Sequence, residues 1–118
     1  MDLRLAAVEF RFAEILWQTT PVTTKELVAI CSKELNWART TTYTVLRKLC
    51  LRGIFETKDG VVTTLIAKDE YHAIRSEQFI NKDFGGSLPA FLAAFASRQQ
   101  PSKEDLVRLK ELVNEIGD

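Results

Sequence analysis

The stretch from Trp37 to Ala67 constrains this chain most, because it reads as one helix followed at once by a tight β-hairpin. From Arg39 the sequence runs through Thr40, Thr41, Thr42, Tyr43, Thr44 and Val45 to Leu49, and Gly53 supplies the C′ stop. At about 100° per residue, Thr42, Val45, Leu46 and Leu49 fall on one side of this helix. Thr40, Thr41, Thr44, Arg47 and Lys48 fall on the other. An outward face of small hydroxyls and cations suits a DNA groove. Hydroxyls hydrogen-bond to base edges or phosphate, threonine methyls touch thymine methyls, and cations neutralise phosphate. The hairpin spans Ile54 to Ala67 and turns at Asp59-Gly60, a strong two-residue turn signal. A helix of this kind followed by such a hairpin predicts a winged helix-turn-helix.

The preceding residues supply the supporting helices. Leu5, Val8, Phe12, Ile15 and Leu16 recur at helical spacing and predict a first helix over Leu5 to Trp17. Thr19-Thr20-Pro21 ends it, since a residue before proline avoids the α region. Val22 is placed to pair with the later hairpin as a short third strand. Thr23 and Glu26 form a capping-box pattern that opens a second helix, with Leu27, Val28, Cys31 and Leu35 facing inward. Asn36-Trp37 turns the chain into the recognition helix, which completes the DNA-binding order of elements.

After Ala67 the composition changes. Lys68 to Lys82 predicts a helix with Tyr71, Ile74 and Phe79 apolar, and Asp83-Phe84-Gly85-Gly86 breaks it. Ser87 caps a short helix carrying Leu88, Phe91, Leu92 and Phe95. Ser102 caps a last one, with Glu104 and Asp105 in its first turn. Leu106, Leu109, Val113 and Ile116 then mark a coiled-coil-like seam. Three helices this short cannot build a stable core alone. They must pack on the N-terminal domain or on another copy of themselves, and a second chain is favoured, because DNA readers of this type use two-fold symmetry to span paired half-sites. The expected dimer surface is Tyr71, Ile74, Phe79, Phe91, Leu92, Phe95, Leu106, Leu109, Val113 and Ile116.

Charge agrees with this division. The net charge of the 118 residues is zero, but residues 1–67 carry a net +2 and residues 68–118 a net −2. Between residues 33 and 52, Lys33, Arg39, Arg47, Lys48 and Arg52 are opposed only by Glu34, a modest basic patch in the expected place. The hydrophobic fraction of 46% suffices for a packed core, and the 27% charge argues against disorder. No apolar run is long enough to insert in a membrane, and Asp2 and Glu9 interrupt any signal-peptide pattern, so a cytoplasmic protein is expected. Cys31 and Cys50 lack metal-site spacing and read as buried, reduced thiols on the apolar sides of their helices. His72 is the only histidine and reads as a surface residue; no metal or cofactor is expected. No histidine pair, Cys/His arrangement or glycine-rich phosphate loop suggests an enzyme.

The segment from Glu9 through Phe10, Phe12, Glu14 and Leu16 to Trp17 resembles the first-helix signature of the penicillinase and methicillin-resistance repressors, the BlaI/MecI/CopY family. Thr24-Lys25-Glu26-Leu27 is similar to their second helix. The spacing of Trp37, Thr41, Thr44, Leu46, Lys48, Leu49 and Gly53 matches their recognition helix. The resemblance extends at lower identity through Gly86, Ser87 and Leu88 to the last helix. It implies a dimeric transcriptional repressor whose winged helix reads an inverted-repeat operator and whose C-terminal helices make the dimer. It also implies release through cleavage by a membrane sensor protease, at the bond aligned with Ala94-Phe95, where characterised repressors have Asn-Phe. The helical spacing of Phe95 gives it a competing reading as a core residue. Copper-responsive relatives carry a cysteine cluster in the tail, and here no cysteine or histidine follows Pro101.

The expected architecture is thus mainly α (α+β). Residues 1–67 form a winged-helix DNA-binding domain and residues 68–118 a helical dimerisation region. Arg39, Thr40, Thr41, Thr44, Arg47, Lys48 and Lys58 are the expected DNA-binding residues, Lys58 being the only cation of the hairpin. Tyr43, at the edge between the two helix faces, reads as packing rather than DNA contact. Trp17 and Trp37 read as structural. The rival expectation is a winged-helix protein-interaction module without sequence-specific DNA binding, which the low net charge and the plain hairpin favour.

Overall fold

Among the residues described by the computed structural model, 2–117, six helices accompany one three-stranded antiparallel sheet. Helix α1 spans Ala7–Thr19. It starts two residues later than the apolar spacing suggests, because Ala6 is extended and its N–H donates to the Glu9 carboxylate at 2.9 Å. Strand β1 (Val22–Thr23) leads directly into α2 (Thr24–Leu35). The Thr23 hydroxyl accepts the Glu26 N–H at 3.1 Å, half of the expected capping box. The other half differs, since the Glu26 carboxylate accepts from the Thr23 hydroxyl instead of reaching the backbone. Asn36 adopts the left-handed conformation that ends α2 and allows the turn into α3 (Arg39–Leu51).

Gly53, with φ at 76°, closes α3, and the N–H groups of Gly53 and Ile54 return to the carbonyls of Cys50 and Leu49. Strands β2 (Phe55–Lys58) and β3 (Val61–Thr64) follow, with Lys58 opposite Val61. Asp59 and Gly60 both have positive φ, the requirement of a type I′ hairpin turn whose twist matches the strands. Strand order is β1-β3-β2, with Val22 opposite Val62, so Val22 does form the short third strand.

Phe12, Leu16, Leu27, Leu46, Leu49, Ile54, Phe55 and Val62 meet in one core. Each such side chain, fully buried, contributes roughly 1.5–3 kcal/mol. Trp17 closes one side of this core. Its indole N–H donates to the Ile66 carbonyl at 2.9 Å while its ring meets Phe10, Phe55 and Tyr71. Trp37 packs on Phe12. Val8, an expected inward position of α1, is exposed, because the helix turns Phe12, Ala13 and Leu16 to the core and Phe10 toward the aromatic group.

The chain divides into two compact units, 1–78 and 79–118, and α4 (Lys68–Phe84) runs through the division. Tyr71, expected on the dimer surface, is only 4% exposed and belongs to the core of the first unit. The reason is its aromatic contact with Phe10 and Trp17; Ile74 packs against the same core. In the second unit Phe79, Phe84 and Phe91 meet edge to face. Helix α5 (Leu88–Arg98) is capped by the Ser87 hydroxyl, and Ser102 accepts the Asp105 N–H ahead of α6 (Lys103–Gly117). Neither α5 nor α6 buries a single described residue. Phe95, read as a core candidate, is 44% exposed, since two short helices offer no further layer to cover it.

The Thr23 cap yields the first test. Thr23→Ala should lower unfolding free energy by about 1 kcal/mol, read from the denaturant midpoint at unchanged slope.

Candidate nucleic-acid interface

The orientation of α3 follows from its inner stripe. Thr42, Leu46 and Leu49 are buried and Val45 partly so, which turns Arg39, Thr40, Thr41, Thr44, Arg47 and Lys48 outward, all exposed. The inner threonine is accommodated because its hydroxyl donates to the Ala38 carbonyl. Thr44 does the same on the outer face, donating to the Thr40 carbonyl at 2.8 Å. Its hydrogen is therefore committed within the helix, and it offers outward a methyl group and acceptor lone pairs. Thr41 is exposed one turn earlier.

The basic patch is smaller than the sequence suggests. Arg52 turns its guanidinium to the Arg4 carbonyl, so Arg39, Arg47 and Lys48 form the cationic part of the α3 outer face. The wing adds Lys58, exposed at the end of β2, but Glu56 and Asp59 flank it. Lys25, absent from the sequence-based set, is an exposed cation in the first turn of α2. That helix start touches the wing directly, because the Thr24 N–H donates to the Gly60 carbonyl at 2.9 Å. A lysine at a helix N-terminus opposes the helix dipole, and this was the signal available in sequence.

Tyr43 sits between these parts. It lines a shallow cavity of about 240 Å³ with Thr24, Leu46, Arg47, Cys50 and Thr57. The Thr24 side chain, aided by Arg39, lowers the Tyr43 pKa below its ordinary value against a smaller opposing effect of burial. The Arg39 guanidinium lies 5.6 Å from the Tyr43 ring centre. His72 is exposed beside Phe10 and Tyr71, and among the described residues no group of histidine, cysteine and acidic side chains could hold a metal. No described helix is long and apolar enough to cross a membrane.

An outward polar helix face beside a short-turned wing is the arrangement of a DNA reader, and comparison with known proteins agrees. The penicillinase repressor family model matches residues 5–115. The chain belongs to the penicillinase repressor family. It is 25% identical to the penicillinase repressor of Bacillus licheniformis, over 95% of this chain and 91% of that one. It is 20% identical to the Staphylococcus aureus penicillinase repressor, covering 98% and 95% of the two chains. Against the methicillin resistance regulatory protein MecI of Staphylococcus aureus the identity is 19%, over 93% of each. Membership in this repressor family implies transcription regulation, repression and DNA binding, and the winged-helix fold is compatible with that role.

The two thiols of this repressor differ, contrary to the expectation that both are buried. Cys31 lies in the core, and burial raises its pKa, with the neighbouring Thr42 side chain opposing. Cys50 is only half-buried, with its Sγ 3.5 Å from the Thr57 hydroxyl. The difference arises because Cys50 sits at the edge of the core beside the wing, whereas Cys31 lies within it. Iodoacetamide at neutral pH should therefore label Cys50 well before Cys31, since thiolate and access are both scarce at Cys31. Equal labelling rates by mass spectrometry of the native protein would contradict this.

Proposed function

We propose that this chain represses transcription as a homodimer bound to an inverted-repeat operator, with α3 of each copy in a major groove. The observation that carries the reading is the division of α3. One stripe is buried in the core, and the opposite face presents Thr40, Thr41, Thr44, Arg47 and Lys48 to solvent. Thr41 and Thr44 face base edges in this reading, while Arg47 and Lys48 hold the backbone and Lys58 approaches phosphate from the wing. The absence of a net positive charge argues for a small electrostatic component, so shape and base contact carry much of the selectivity.

Dimerisation is assigned to residues 79–118. Phe79, Leu92, Phe95, Leu106, Val113 and Ile116 are all exposed, and isolated soluble proteins rarely leave so many large apolar groups on one small unit. Phe91 and Leu109, partly buried, line an apolar cavity of about 450 Å³ between α5 and α6, which a second copy would fill. The Ala94-Phe95 bond lies inside α5, so cleavage there by a membrane sensor protease first requires that helix to open.

Replacing Leu109 and Val113 together with aspartate should give monomers by ultracentrifugation and abolish tight operator binding. A dimer of normal affinity would put the interface elsewhere. Salt dependence separates the two classes of α3 contact. Lys48→Ala should reduce the salt slope by about 2 in a dimer, weakening all sequences alike. Thr44→Ala should leave the slope nearly unchanged and cost about 1–3 kcal/mol on the operator alone. If selection from random duplex pools enriches no palindrome, the protein-interaction reading replaces this one.

A further inference from the structure

Arg39 is the first residue of α3, and the first turn of that helix contains no acidic residue. A cation there faces the positive end of the helix dipole, so its position brings no local stabilisation from the helix. Its guanidinium nevertheless has a fixed neighbour. Tyr43, one turn along the same face, presents its ring 5.6 Å away, inside the range of cation–π attraction. Tyr43 lines one shallow cavity with Thr24, and the Thr24 N–H donates to the Gly60 carbonyl at the wing turn. The wing, the start of α2 and the leading cation of α3 therefore meet around Tyr43.

We propose that Tyr43 is a positioning residue for operator recognition: its ring holds Arg39 ready for a base edge. This rests on the DNA-binding reading above. A guanidinium pre-set on an aromatic face loses less freedom when it engages the two acceptors of a guanine edge. A tyrosine that merely packs the helix would support every contact of α3 equally. A positioning tyrosine acts through Arg39 alone, and that difference can be measured.

The experiment compares the wild-type chain with Arg39→Ala, Tyr43→Leu, Tyr43→Phe and the Arg39→Ala/Tyr43→Leu double variant. Each is tested on the operator selected by the wild-type protein and on a set with every base pair substituted in turn. Arg39→Ala should weaken binding about ten-fold and erase preference at one position in each half-site. Tyr43→Leu should erase preference at that same position, and the double variant should bind no worse than Arg39→Ala. Tyr43→Phe, which keeps the ring, should retain the preference. Melting curves verify folding, and Tyr43→Gln replaces the leucine variant if that one is unfolded at the assay temperature. The proposal is overturned if Tyr43→Leu weakens all sequences alike, or costs as much on the Arg39→Ala background as on the wild type. It is also overturned if Arg39→Ala leaves every preference intact while the wild type still selects a palindrome, and then the DNA-binding reading stands. A wild-type chain that selects no palindrome removes both.

Discussion

Burial of Thr42, Leu46 and Leu49 against the preceding helices sets the rotation of α3 about its own axis, and the properties of its outer face follow from that rotation. A helix rotated by one residue, about 100°, would carry Tyr43 inward and bring a buried leucine into water. The cost of exposing such a side chain is of the order of 1.5–3 kcal/mol, large beside the net stability of a small domain. The polar face is therefore held by the core rather than by any contact of its own. Its threonines and cations are free to be chosen for what they touch outside the protein.

The wing depends on the same core by a different route. Phe55 and Val62 are buried from its two strands, while Asp59 and Gly60 supply the backbone conformation that reverses the chain. The tip is then anchored to the start of α2 by the hydrogen bond between Thr24 and Gly60. Recognition helix, second helix and wing are consequently one connected surface, and Tyr43 stands at its centre.

Residues 79–118 follow another balance. The Phe79, Phe84 and Phe91 rings pack on one another, but α5 and α6 leave large apolar groups exposed. A unit of this size cannot remove that surface from water by folding alone. The second copy proposed above would cover it, and a two-fold dimer would also suit an inverted repeat.

Much of this was legible in sequence, where local chemistry decides. The helix–hairpin order came from the recurrence of Val45, Leu46 and Leu49, from the glycine stop at Gly53 and from the Asp59-Gly60 turn, all of which need only neighbouring residues. The outward set on α3 followed from helical periodicity. Tertiary structure decided what periodicity cannot reach. Tyr71 became a core residue because Phe10 and Trp17, distant in the chain, close around it. Val8 and Phe95 fit the apolar spacing yet lie exposed, since spacing names a face without saying whether another element covers it. Arg52 left the basic patch for the Arg4 carbonyl, and Cys50 is only half-buried at the rim of the core, beside Thr57 of the wing. Gly60, Thr24, Tyr43 and Arg39 come together from three elements through one backbone hydrogen bond, a shared cavity and one ring contact. Sequence determined which groups this surface contains; only folding decided which of them touch, because those contacts depend on how the elements pack.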